Sequence, residues 1–289
     1  MGLVHHTSAH CWGTGSKTMS KRPDEPSFAS EERLPGGRLT AVMRNGDTVR
    51  RPGQSWNKGV HQLLQHVRDR GFLLVPEPHG FDEQGREILS YIEGDTSASV
   101  AAWPGTLWCD ELLADVGRAA AAYHRAVADF VPDADARWQY RPRSLEPGEI
   151  ICHHDFAPYN AVFNDHQLLG IIDWDGAGPG TVEEELAFLA WQWAPLGPPD
   201  LKEHVGCDPK IDEGARLRLL LDSYGYERRE GLIDAVIERI EISRSGIEGR
   251  AAVGDPPYVA LRDEGYTRGM ERTILYLTER NRDLQMEIE

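Results

Sequence analysis

Residues 151–180, ICHHDFAPYNAVFNDHQLLGIIDWDGAGPG, constrain this chain more than any other stretch. EIICHHDF and LLGIIDWD read as two short buried strands, and each delivers an aspartate where apolar residues give way to loop. Between them APYNAVFND has room only for a tight connection and one more short strand. Asp155, Asn160 and Asp173 are therefore expected to converge at one mouth. That arrangement suits phosphoryl transfer, where positioning and charge neutralisation dominate. One carboxylate would accept a hydroxyl proton, while an amide oxygen and a second carboxylate would hold magnesium against nucleotide phosphates.

The flanking sequence divides into a strand-rich part and a helix-rich part. RLTAVMR and DTVRR flank NGD, a two-residue hairpin signal, and GREILSYIEGD adds a strand ending at Glu93 and Gly94. WNKGVHQLLQHVRDRG places Val60, Leu63, Leu64 and Val67 on one helical stripe, closed by Gly71. Downstream, TLWCDELLADVGRAAAAYHRAVADF carries Leu112, Val116, Ala120, Tyr123, Val127 and Phe130 at spacings of three and four. EEELAFLAWQWAPL, ARLRLLLDSYG, GLIDAVIERIEISRSGIEGRAA and the terminal GYTRGMERTILYLTERNRDLQMEIE also read as helices. The expected organisation is a polar tail over 1–33, a small lobe over 34–94 and a larger, mainly helical lobe over 95–289.

The charge balance of 31 minus 47, or −16, excludes a nucleic-acid partner held through its phosphates and is compatible with a cationic small molecule. No apolar run reaches the ~18 to 20 residues of a membrane helix, and the first twenty residues lack a charged segment followed by an apolar one. Cys11, Cys109, Cys152 and Cys207 form no C-x-x-C pair, so a reducing, cytoplasmic setting is expected, without a disulfide framework. Nothing in the sequence specifies an oligomeric state.

The spacing H-x-D-x-x-x-x-N at His153, Asp155 and Asn160, followed by I-D at Ile172 and Asp173, resembles the aminoglycoside phosphotransferase and choline kinase branch of the protein-kinase-like fold. The resemblance runs over roughly residues 34–280 and implies a bilobal α+β architecture, a small antiparallel-sheet lobe with one helix beside a helical lobe. It implies that Asp155 orients and deprotonates the acceptor hydroxyl, that Asn160 binds one magnesium, and that Asp173 binds magnesium bridging the phosphates of ATP. Glu185 falls where an aspartate commonly packs under the catalytic loop. Tyr91, Ile92 and Glu93 would lie in the hinge that reads adenine, and Gly36 and Gly37 would let the backbone approach the nucleotide. The family usually places a lysine on its third strand, paired with a glutamate on the following helix. Here the strand reads DTVRRP and the helix contains no glutamate, so Arg50 or Arg51 is expected to stand in. Strand alternation allows only one of the two into the cleft.

The implied activity is magnesium-dependent transfer of the ATP γ-phosphoryl group to a hydroxyl of a small molecule. A kinase acting on Ser or Thr of a peptide or protein is one alternative. A non-catalytic kinase-fold binding module is another, drawn from the missing lysine and glutamate and opposed by the intact trio. Glu238, Glu241, Asp255, Asp263 and Glu264 are candidates to hold an amine-bearing acceptor, though each alone reads as a solvated helix face. His153 reads as structural, either pointing to the strand's other face or bracing the loop backbone, Asp175 as a second metal contact or a turn residue, and Trp174, Trp191 and Trp193 as core anchors.

Overall fold

The computed structural model describes residues 31–34, 41–97 and 105–289; Gly36 and Gly37 lie outside the described residues. The Asn-Gly signal forms the expected hairpin. β2 (Met43–Asn45) and β3 (Thr48–Pro52) pair antiparallel, with Asn45 opposite Thr48 across a turn in which Gly46 adopts φ +59°. That left-handed conformation costs glycine little and a residue with a Cβ more. β1 (Glu32–Arg33), inside the expected tail, adds a further strand against β2. With β4 (Pro78–Phe81) and β5 (Arg86–Ser90) the sheet has the order β1-β2-β3-β5-β4, antiparallel throughout. α1 (Asn57–Asp69) connects β3 to β4 and buries Val60, Leu63, Leu64 and Val67, the stripe read from the sequence.

The strand expected to run to Glu93 stops at Ser90. Tyr91 still donates its N–H to the Asp47 carbonyl, 2.8 Å, and the chain then leaves the sheet. At Gly94, φ +147°, it enters β6 (Asp95–Thr96), which pairs with a strand of the helical lobe. The link is seated closely. A Cβ at Gly170 would lie 2.6 Å from the Ile92 Cδ1, and one at Gly94 would lie 2.7 Å from the Val162 Cγ1.

Beyond a single turn at Gly105–Trp108, α2 (Asp110–Val127) follows the predicted apolar spacing. β7 (Ile150–Cys152), β8 (Ala161–Asn164) and β9 (Gln167–Ile171) are the strands read in the motif stretch. β10 (Gly178–Gly180) pairs with β7, while β8 joins β6 to β9. α3 (Val182–Trp193) opens on a reciprocal cap between Thr181 and Glu184. α4 (Pro199–His204), α5 (Glu213–Tyr224), α6 (Leu232–Ala252), α7 (Pro256–Asp263) and α8 (Tyr266–Ile288) complete the lobe. α4 and α7, not singled out in the sequence, each open on a proline, which is favourable in a first helical turn, where its missing N–H has no partner anyway.

One core runs from α1 through α2 to α3, α5 and α6, with Leu64, Leu113, Leu189, Leu217 and Ile240 wholly buried. Trp174 and Trp193 are buried anchors whose indole N–H groups donate to the carbonyls of Ile171, 2.8 Å, and Phe156, 2.9 Å, whereas Trp191 is only partly buried. Among the described residues Cys109, Cys152 and Cys207 are free, and no helix is long and apolar enough to cross a membrane.

Candidate active site

The two motif strands meet through the backbone. Ala161 lies opposite Ile171 in the β8–β9 ladder, and just beyond it the Ile172 N–H donates to the Asn160 carbonyl, 2.8 Å. Asn160 and Asp173 are thereby held at the same end of the hairpin, beside the loop that follows β7. In that loop the Tyr159 hydroxyl donates to Asp155 Oδ1, 2.7 Å, and Asn160 Nδ2 donates to both Asp155 Oδ2 and the Asp155 carbonyl, each 2.9 Å. Burial pushes the Asp155 carboxyl up to about 7 and the charge of Asp173 adds to this, while Tyr159 and Asn160 work against it. A carboxylate in that range is matched to taking a proton near neutral pH.

His153 braces this loop. Its Nδ1 accepts the Asp155 N–H, 3.2 Å, which makes Nε2 the protonated nitrogen that donates to the Ile172 carbonyl, 3.1 Å. One ring thus ties the loop to the strand carrying Asp173, and burial lowers its pKa to about 4, so it stays neutral. Glu185 of α3 packs under the loop as expected. Its Oε2 accepts the His153 N–H, 2.5 Å, and its Oε1 accepts the His154 N–H, 3.1 Å. Burial pushes this carboxyl up to about 7 against those bonds. On the carbonyl side of the same residue, Arg239 of α6 donates from Nη2 to the His154 C=O, 2.8 Å. A carboxylate on the N–H side and a guanidinium on the C=O side fix His154 at φ +63°, a left-handed conformation uncommon for a residue with a Cβ.

Asp173 also adopts a left-handed conformation, φ +59°, and its side chain remains 53% exposed. The donor set available to a divalent cation is its carboxylate plus the Asn160 side-chain oxygen, since the Asn160 nitrogen is committed to Asp155. Among the described residues no group of three His, Cys, Asp or Glu forms a metal cage by itself. A hard oxygen pair of this kind fits magnesium, which binds through one or two protein oxygens and completes its shell with water and substrate phosphates.

The two arginines of β3 separate as strand alternation requires. Arg50 points away from the cleft, where its Nε lies 3.9 Å from Asp82. Arg51 is the buried one. Its Nε pairs with Glu87 Oε2, its Nη1 reaches Asp173 Oδ1 at 3.3 Å and Asp175 Oδ2 at 3.1 Å, and its Nη2 reaches Asp175 Oδ1 at 2.7 Å. Burial works against its charge, but Asp175, Glu87 and Asp173 more than offset this and raise its pKa. Asp175 is therefore a partner of Arg51. The glutamate absent from the helix is present on β5, where Glu87 is the direct antiparallel neighbour of Arg51. Sequence reasoning missed it because the pairing of β3 with β5 is a tertiary fact; alternation along REILS was the available signal.

In the segment expected to be the hinge, the Arg44 guanidinium lies 3.7 Å over the Tyr91 ring and pairs with Glu93 at 3.0 Å, while Ile92 packs on Gly170. The acidic residues suggested for an amine-bearing acceptor do not form a free carboxylate lining. Glu241 pairs with Arg244, Asp255 with Arg250 and Asp263 with Arg262, and Glu238 is exposed.

A five-stranded sheet with one crossing helix, a helical lobe, and an Asp-Asn-Asp trio reached from the sheet by a buried cation define a protein-kinase-like phosphotransferase architecture. The chain belongs to the phosphotransferase enzyme family, whose profile matches residues 127–220, the span holding the trio and Glu185. A trifolitoxin immunity protein of Rhizobium leguminosarum bv. trifolii is 37% identical over 210 residues, 71% of this chain and 78% of that protein. Among solved structures, the chain shares the fold of a choline/ethanolamine kinase family protein from Mesorhizobium loti, with TM-score 0.55, 17% identity, and coverage of 87% of this chain and 94% of that one. A macrolide 2'-phosphotransferase from Brachybacterium faecium superposes with TM-score 0.54 at 14% identity over 82% and 91% of the two chains. An amicoumacin kinase in complex with AMP-PNP, Ca2+ and Ami gives TM-score 0.56 at 12% identity over 86% and 89%.

Proposed function

We propose that this protein transfers the γ-phosphoryl group of ATP, with magnesium, to a hydroxyl of a small toxin or antibiotic. The observation that carries the reading is the bonding of Asp155 to Asn160 at the end of the hairpin that presents Asp173, with Arg51 reaching Asp173 from the small lobe. The acceptor oxygen attacks the γ-phosphorus while Asp155 takes its proton, the bond from the γ-phosphorus to the β–γ bridging oxygen breaks, and ADP leaves. Magnesium, held by Asn160 and Asp173, would neutralise charge on the phosphates. Arg51 would contact the phosphates, and Tyr91, Ile92 and Glu93 would line the adenine slot. An acceptor of the antibiotic class is favoured by the names of the relatives, which refer to trifolitoxin immunity, macrolide and amicoumacin. A strongly cationic acceptor is not favoured, because the candidate carboxylates of α6 and α7 are mostly engaged by neighbouring arginines.

The test is thermal unfolding with ATP or its non-hydrolysable analogue, with and without magnesium. Binding to the folded state alone stabilises by about 2.7 kcal/mol at 100-fold saturation. A shift that requires magnesium, followed by ADP release on adding hydroxyl-bearing antibiotics, supports the reading. No shift with any nucleotide would leave a binding module as the better account.

A further inference from the structure

We infer that Glu87 and His61 are positioning residues for the phosphate-contacting arginine, a strand carboxylate and a helix imidazole together doing what a helix-borne glutamate would otherwise do. The inference rests on the phosphotransferase reading above and concerns how its small lobe is set.

Glu87 and Arg51 are directly opposed in the β3–β5 register, so their side chains rise from the same face of the sheet. Glu87 has no solvent exposure and both its oxygens are occupied: Oε2 takes Arg51 Nε, and Oε1 lies 2.8 Å from His61 Nε2, which donates to it. His61 is itself fixed, 13% exposed at the side chain and stacked on Phe81 with centroids 5.0 Å apart and planes at 17°. Although burial would raise the Glu87 carboxyl, its bonds to His61 and Arg51 hold it below the ordinary glutamate value. It is thus a charged, doubly anchored acceptor.

The geometry divides the guanidinium between two tasks. Nε is spent on Glu87, so Nη1 and Nη2 are the atoms that face the cleft, where they now meet Asp173 and Asp175. A planar fork can be held at one nitrogen while presenting two others, which a lysine ammonium cannot do. A continuous path of polar contacts therefore runs from α1 through His61, Glu87 and Arg51 to the aspartate proposed to bind metal. The position of the helix is transmitted to the nucleotide site through an imidazole, which explains why the helix needs no glutamate.

The experiment uses the full chain and two probes: magnesium–AMP-PNP, which carries the phosphates, and adenosine, which lacks them. Calorimetry should show Glu87→Gln weakening magnesium–AMP-PNP binding by about 10-fold or more and His61→Ala by a smaller factor, with adenosine affinity at the parent value, because loss of a charge-assisted contact in a desolvated site is of that order. His61→Gln, which keeps a donor, should recover most of the loss. If Glu87→Gln does not fold, the two His61 variants carry the test. Parent-like binding of AMP-PNP by these variants overturns the inference, and so does an equal loss for both probes, the mark of general damage to the lobe. Failure of the parent to bind AMP-PNP would overturn the proposed function and this inference with it.

Discussion

The two halves of the candidate site are built in opposite ways. In the helical lobe Asp155, Asn160 and Asp173 lie within nineteen sequence positions, and the local backbone brings them together through the Ile172 N–H bond to Asn160 and the His153 brace. In the small lobe Arg51, Glu87 and His61 come from two strands and a helix, and only tertiary pairing assembles them. The first construction is encoded as spacing, the second as packing. A site carried by spacing is readable as a motif, whereas one carried by packing is not, as the pairing of Glu87 with Arg51 across two strands illustrates.

The largest expected effect tests the first half. Asp155→Asn removes the proton acceptor while keeping a side chain that Tyr159 and Asn160 can still contact, so phosphoryl transfer should fall by about 100- to 10,000-fold while magnesium–nucleotide affinity stays near the parent value. Turnover close to the parent rate would take the base assignment away from Asp155.

A smaller effect compares the adjacent arginines and so probes the packed half. Arg51→Ala should lower kcat/KM by roughly 10- to 1000-fold, and Arg50→Ala, on the opposite strand face, by less than about 3-fold. Steady-state kinetics on both variants checks this. Equal losses would mean that the strand face does not select the phosphate contact.

The smallest effect concerns the scaffold of the helical lobe. Burial lowers the pKa of His124 to about 3, below the unfolded value near 6.5, so its neutral form stabilises the fold above that higher value and the contribution is lost as pH falls toward 3. Relative to a His124→Gln variant, which does not titrate, the parent should lose about 2 kcal/mol between pH 8 and pH 5. Denaturant unfolding of the two proteins at both pH values measures the difference; parallel pH dependences would remove His124 as its source.

The same contrast explains what could be read beforehand. The motif strands, the NG hairpin, α1, α2 and the long C-terminal helices follow from alternation, turn chemistry and 3.6-residue periodicity, all of them local. A structural role for His153 was legible from its position, the brace being one of two readings, and the packing of Glu185 under the loop followed from the family resemblance of its segment. β6 and β10 were not, since strands of two and three residues have no periodicity to detect and exist only through β8 and β7. Glu87, His61 and the clamp by Arg239 were equally hidden, because each needs a partner far away in sequence whose side-chain direction is set by the folded core.

The seat of Ile92 on Gly170 has a consequence for how this chain tolerates substitution. Gly170 reads as an ordinary small residue in a strand, and replacing it with alanine would pass as mild by any measure of chemical similarity. The added methyl carbon would lie 2.6 Å from the Ile92 Cδ1, with Cγ2 of the same residue at 3.1 Å, so this side chain, in the link between β5 and β6, would have to give way. One carbon atom on β9 would thus act on the link from the sheet to β6, a segment more than seventy residues away along the chain.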